Sequence, residues 1–311
     1  MERLIVVIGP TAVGKTKISI DLAKKLSTQI ISGDSMLVYR GLDIGTAKPN
    51  LLEQSGVAHH LIDILEPAEE FNVVDFQKQA HNLIIKISSA GHIPVLAGGT
   101  GLYIRALLEG YRFSEAPSDE ALRHKLAALG EQHGNEYLHG ILAGLQPETA
   151  ARLHPNDQRR IIRALEVYYL SGETVSQEKS AAKALKYDAV VIGLNMDRAL
   201  LYERINKRVD IMLEQGLIEE VAGLLQQGVP PDCQAMRGIG YKEIIDYLLK
   251  GQDLSTATDN VKQATRNFAK RQLTFYRRMP YIKWFNVDEY DDYNNLLESI
   301  YKHVAGKFGV R

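Results

Sequence analysis

The sequence predicts an α/β protein, a P-loop NTPase-like parallel sheet core carrying an inserted small all-helical domain. Three observations predict it. Short apolar runs with strand character alternate with segments of helical period over most of the chain. The alternation stops between about residues 113 and 187, where only helical periodicity remains. The run Gly9-Pro10-Thr11-Ala12-Val13-Gly14-Lys15-Thr16 matches the pattern G-x-x-x-x-G-K-[ST] directly after an apolar run.

In chain order, residues 4–8 (Leu-Ile-Val-Val-Ile) read as a buried strand, and Ile18, Leu22 and Leu26 recur at helical spacing behind it. Residues 29–32, 61–65 and 94–97 read as further strands. Between the last two lies a helix from Asn72, its N-cap, to Ala90, stopped by Gly91. Strands alternating with helices imply parallel pairing and right-handed crossovers. A Pro- and Ser-containing hinge, 114–118, then opens the insertion. Its helices are expected at 118–129 with Ser118 as cap, 135–145, 147–153, and 156–170 closed by Gly172, with a polar stretch at 171–180 after them. The sheet pattern resumes at 189–194 and 281–286, separated by helices at 197–215, 217–227, 241–249 and 255–278. The expected division is 1–112 with 188–311 for the core, and 113–187 for the insertion.

Composition narrows the function. The 311 residues are 45% hydrophobic and 24% charged, as in soluble globular proteins. The single cysteine, Cys233, excludes an internal disulfide framework or a Cys-rich zinc site and agrees with a reducing compartment. No signal peptide or apolar stretch of membrane-spanning length is read, so the expected location is cytoplasmic. A net charge of −1 taken alone argues against nucleic acid. Its distribution argues the other way. Lys262, Arg266, Lys270, Arg271, Arg277 and Arg278 form a run without acidic residues, and Arg159, Arg160 and Arg163 form a second cluster.

The P-loop is the first chemical site. Its glycines let backbone N–H groups curl around an anion at a helix N-terminus, Lys15 adds a point charge, and the Thr16 hydroxyl can ligate Mg²⁺. The second is Asp34, at the carboxyl end of the 29–32 strand, where doubly wound sheets bind ligands. A carboxylate there can hold Mg²⁺ through water or accept a proton from a nucleophile. The third is Ala97-Gly98-Gly99-Thr100-Gly101, a second glycine-rich turn facing the same crevice, with the Thr100 hydroxyl available. The strand ending at 97 carries no ATPase-type aspartate, and Asp63 is the weak substitute. His59 and His60 are adjacent on a strand and point to opposite faces, which disfavours a shared metal.

With these pieces the chain resembles the tRNA isopentenyltransferase (dimethylallyltransferase) family nearly end to end. The resemblance rests on Gly9–Thr16, Gly33-Asp34-Ser35, the run Leu42–Pro49, Gly98–Tyr103, Asp157–Glu166, Arg208–Met212, Gly238–Tyr241 and Lys270-Arg271-Gln272. It implies dimethylallyl diphosphate as donor, Mg²⁺ at Thr16, and a helical insertion that contacts the anticodon stem-loop of tRNA. The donor diphosphate would lie on Gly9, Thr11, Ala12, Val13, Gly14, Lys15 and Thr16. Asp34 would take the proton of the adenine N6 amine, with Thr100 and Arg208 completing the catalytic set. tRNA contacts would come from Asp34, Ser35, Met36, Leu37, Thr100, Arg123, Gln158, Arg159, Arg160, Ile161, Ile162, Arg163, Lys270 and Arg271. No apolar stripe demands a partner, so a monomer is expected.

Three other readings share the P-loop. A small-molecule or nucleotide kinase would need ATP turnover and an arginine-bearing lid, for which Arg152 or Arg159 would serve. An RNA-binding switch would show RNA-stimulated ATP hydrolysis. A prenyltransferase acting on free AMP or ADP would keep the P-loop and Asp34 but has less need of the insertion and the basic clusters.

Overall fold

The computed structural model describes residues 1–113, 119–172, 174 and 185–310. It divides into two compact units, Met1–Glu109 with Ala184–Arg311, and Gly110–Lys183. The expected hinge at 114–118, its Ser118 cap, and most of the 171–180 stretch lie outside the described residues.

The first unit is built on strands β1 (Arg3–Ile8), β2 (Ile30–Ser32), β3 (His59–His60), β4 (Val95–Ala97), β5 (Asp188–Asn195) and β6 (Ile282–Asn286). Their order is β3-β2-β4-β1-β5-β6, and every pair is parallel. Helices α1 (Lys15–Lys25), α2 (Leu51–Gln54), α3 (Val73–Ser89) and α4 (Gly101–Glu109) connect the first strands. A parallel sheet requires cover on both faces, and β1 shows it residue by residue. Leu4, Val6 and Ile8 enter one core with Phe76, Ala80 and Ile84 of α3 and Ile104 and Leu107 of α4. Ile5 and Val7 enter the other with Ile18 and Leu22 of α1. Asn72 caps α3 as the sequence predicts, its side chain accepting from Val74 N–H and Asp75 N–H.

The 61–65 segment is not a strand of the sheet. Leu61 and Asp63 have φ of +60° and +52°, left-handed values that break an extended run. The segment pairs locally instead: Ile64 N–H donates to Val38 O at 2.8 Å, and Arg40 N–H to Leu65 O at 2.9 Å. The apolar residues there are buried by a loop rather than by strand pairing. Asp63 is used by Lys48, whose ammonium it shares with Asp43. The core also extends to Tyr187, expected in the insertion, which is 2% exposed and hydrogen-bonded to His81 Nδ1 at 2.8 Å.

The second unit contains α5 (Glu120–His133), α6 (Asn135–Leu145), α7 (Pro147–Ala150) and α8 (Gln158–Ser171). They close on a core of Leu126, Leu138, Leu142, Ile161 and Leu165. Asp119 caps α5 by accepting from Leu122 N–H at 3.0 Å. Gly172 ends α8 in the left-handed conformation, φ +71°.

The chain returns to the first unit through β5 and continues with α9 (Arg198–Glu214), α10 (Leu217–Gln226), α11 (Tyr241–Lys250) and α12 (Leu254–Tyr276). After β6 comes a helix that the sequence reading omits, α13 (Tyr293–Phe308). It buries Leu296, Leu297, Ile300 and Val304 against the α1 face of the sheet. Among the described residues, no helix is long and apolar enough to cross a membrane.

Candidate active site

The phosphate loop turns between β1 and α1, where the carboxyl end of a central strand meets a helix N-terminus. Gly9 must be glycine, because a Cβ there would lie 2.6 Å from the Leu194 carbonyl of β5. Gly14, at φ +104°, caps α1 without a side-chain hydrogen bond. Ala12 takes a left-handed φ of +64°. Val13 is in the core, so what it can offer a ligand is its backbone N–H.

Lys15 folds its ammonium onto Pro10 O at 2.7 Å and Gly9 O at 3.0 Å. Burial lowers its pKa to about 8; the Asp34 carboxylate works against that shift and the Arg208 guanidinium adds to it. Burial also lowers the pKa of Arg208, as does Arg204, with Glu53 opposing. Arg208 sits near the middle of α9, and Asp210, two residues on, pairs with Lys262 of α12. The arginine's charge is therefore not consumed by that aspartate.

Asp34 follows β2. Its Oδ1 accepts from Met36 N–H at 2.9 Å, folding the loop into an Asx turn. Ser35 N–H then donates to Thr100 Oγ1 at 3.0 Å, and that hydroxyl donates to Ser35 Oγ at 3.2 Å. The loops after β2 and β4 are thus tied together, and Asp34 and Thr100 face one space.

That space is a cavity of about 390 Å³ in the first unit, within the range of small-molecule sites. Thr11, Lys15 and Thr16 line it on the phosphate-loop side, with Arg208. Asp34, Ser35, Met36, Leu37 and Thr100 line it on another side, and Val209, Met212, Val261 and Phe268 give it an apolar wall. Gly9, Ala12, Val13 and Gly14 shape the turn behind.

The basic residues separate into three groups. Arg271 lines both this cavity and a neighbouring open groove that holds Lys270 and Arg278. On α8, Arg159 and Arg160 are exposed, and Arg160 makes a 3.4 Å contact with Asp157. Arg123 and Arg163, with side chains 40% and 35% exposed, share one buried carboxylate. Glu166 accepts from Arg123 Nε at 2.9 Å, Arg163 at 2.7 Å and Asp119 N–H at 2.8 Å. The reason is burial: a carboxylate with no exposure must be neutralised from within. Ile161 is fully buried in the helical core and Ile162 packs against it, while Gln158 lies over Gly130 of α5.

Two residues outside the expected site set hold its loops. Glu220 of α10 accepts from the backbone N–H groups of Asp43, Ile44 and Gly45 and from the Tyr241 hydroxyl, shaping the loop that brings Gly45–Ala47 to the cavity. Gln272 of α12 bonds Thr11 and Gly99.

Comparison with known proteins gives the family. The sequence profile of the IPP transferase family matches residues 37–279. The tRNA dimethylallyltransferase of Geobacillus thermodenitrificans is 50% identical over 307 residues, spanning 98% of this chain and 97% of that protein. That of Bacillus subtilis is 47% identical, spanning 98% of each. The crystal structure of the Bacillus halodurans tRNA isopentenylpyrophosphate transferase is similar at a TM-score of 0.75 and 46% identity, covering 99% of this chain and 97% of that one. A eukaryotic dimethylallyltransferase, described as acting on tRNA, is similar at a TM-score of 0.79 and 28% identity, covering 98% of this chain and 80% of that one. Because the profile, the full-length identity and the fold agree, the chain belongs to the IPP transferase family.

Proposed function

We propose that this chain transfers the dimethylallyl group of dimethylallyl diphosphate to N6 of adenosine 37 in tRNA, giving N6-dimethylallyladenosine. The observation that carries this reading is the convergence of a phosphate loop, Asp34 and a half-buried arginine, Arg208, on one cavity with an apolar wall. The loop amides and Lys15 hold the diphosphate, and the apolar wall receives the five-carbon chain. The C1–O bond breaks with its electron pair leaving on the diphosphate. The N6 lone pair forms the new bond to C1, and the N6 proton passes to Asp34. Lys15 and Arg208 stabilise charge where it develops, on the leaving diphosphate.

The oxygen donors of Thr16 and Asp34 suit a hard divalent cation, and Mg²⁺ held at Thr16 supplies further charge neutralisation when bound. Adenosine 37 must leave its stack to reach a recessed cavity, which costs a few kcal/mol. Phosphate contacts from exposed Arg159, Arg160, Lys270 and Arg271 offset that cost. The helical unit is assigned the anticodon stem-loop, and the protein acts as a cytoplasmic monomer.

The test is incubation with Mg²⁺, radiolabelled dimethylallyl diphosphate and unmodified tRNA, beside an ATP hydrolysis control. Label in tRNA at the adenosine 3′ of the anticodon, without ATP turnover, is the expected result. ATP consumption without labelled tRNA would move the chain to the kinase or switch reading.

A further inference from the structure

We infer that Gln272 is a positioning residue that sets the spacing between the donor-holding loop and the acceptor-side loop; the inference rests on the function proposed above. Gln272 is 5% exposed and uses both ends of its carboxamide. Its Oε1 accepts from Thr11 N–H in the phosphate loop at 2.8 Å, and its Nε2 donates to the Gly99 carbonyl at 2.9 Å. Gly99 borders Asp34: a Cβ built on it would lie 2.7 Å from Gln272 Nε2 and 3.4 Å from Asp34 Oδ2. One side chain therefore spans from the loop that holds the leaving group to the loop after β4, which is itself tied to the Asp34 loop through Thr100 and Ser35.

The residue type is specific for this task. An ionised glutamate accepts but cannot donate, asparagine is one methylene shorter, and methionine of similar length offers neither strong group. The Thr11 N–H bonded here is an amide of the anion-binding turn, so its direction is fixed by α12 and not by the loop alone. Lys270 and Arg271, the two preceding residues, are exposed on the same helix. One turn of helix thus presents cations outward while it holds the reacting groups in register inward.

Reaction distance is the quantity this bridge controls, since a misplacement of about 1 Å costs on the order of 100-fold in rate. Dissociation constants depend on it much less, because each ligand keeps its own contacts.

The experiment compares wild type, Gln272→Met and Gly99→Ala. It reads the single-turnover rate of prenyl transfer, the Kd for dimethylallyl diphosphate, the Kd for unmodified tRNA, and the thermal midpoint. Gln272→Met should lower the single-turnover rate on the order of 100-fold, with both Kd values within about threefold of wild type. Gly99→Ala displaces the carboxamide from the other side and should lower the rate at least about tenfold, so it serves if Gln272→Met does not fold. A wild-type rate in either variant overturns the inference, as does a loss that appears entirely in donor Kd. Wild-type protein that transfers no label would instead sink the proposed function, which keeps the two failures apart.

Discussion

A Cβ added to Gly98 would lie 2.3 Å from both the carbonyl carbon and the carbonyl oxygen of Gly33, so the turns after β4 and β2 touch backbone to backbone. No side chain is available to move aside there. Gly98→Ala should force the two turns apart and pull Thr100 away from Ser35, a bond of 3.0 Å. The expected result is a transfer rate lower by about 100-fold together with a reduced thermal midpoint. Single-turnover kinetics with a melting curve check both, and an unchanged rate would mean that this contact does not position the site.

Asp34 both folds its own loop and faces the cavity, so its two roles need different substitutions. Asp34→Asn keeps an acceptor for Met36 N–H and removes the base. It should cut turnover by at least about 100-fold while tRNA affinity stays nearly intact. Asp34→Ala, which also loses the turn, should be no more active. A near-wild-type rate in Asp34→Asn would remove the residue as base.

Lys15 makes the donor affinity pH-dependent. Burial and the nearby Arg208 lower its pKa to about 8, against an ordinary value of 10.5 in the unfolded chain. Between those values the unfolded chain holds the extra proton, so this residue's contribution favours folding increasingly as pH rises from about 8. Donor binding moves in the opposite sense, because the diphosphate needs the ammonium. The Kd for dimethylallyl diphosphate should rise above about pH 8 by up to about tenfold per unit. Lys15→Met should bind weakly with a flat profile, which calorimetry from pH 7 to 10 would read.

Arg160 and Glu166, both on α8, should fail differently. Arg160 is 70% exposed, so Arg160→Ala should weaken tRNA binding and reduce the magnitude of the salt slope by about 0.9 if it meets one phosphate. Glu166 is buried, which raises its pKa. Arg163, the Asp119 amide and Arg123 outweigh burial and hold the carboxyl below its ordinary value. Its stabilising contribution is therefore complete above the ordinary carboxylate range and is lost as pH falls through the lowered value. Glu166→Ala should cost the helical unit about 3 kcal/mol, seen as a lower urea midpoint. Donor affinity should be unchanged in both variants.

These contrasts mark where sequence reading reaches its limit. The phosphate loop, Asp34 and the glycine turn before Thr100 were legible because each is a local pattern at a strand end. α13 was missed although its signal is local: Asp292 caps it, and Leu296, Ile300 and Val304 recur at helical spacing. The reading of 61–65 as a strand went wrong because apolar burial by a loop and by a sheet produce the same run of residues. Gln272 and Glu220 could not be assigned a contact from local pattern, since their partners stand 173–261 and 21–177 residues away. The pairing of Arg163 with Glu166 is local, at i,i+3, whereas that of Arg123 reaches from α5 to α8 and leaves no local pattern.

The strand order also sets a timetable for folding. β1 lies between β4 and β5, and its full-length partner β5 begins at Asp188, after the whole helical unit has been made. During synthesis the helical unit, encoded as one continuous stretch, can collapse on contacts close in sequence. The sheet must wait with an open edge on β1 until the second half of its chain arrives, and such non-local closure is intrinsically slow. In that interval the unpaired β1 edge exposes the chain to edge-to-edge association, so aggregation competes with folding until β5 arrives.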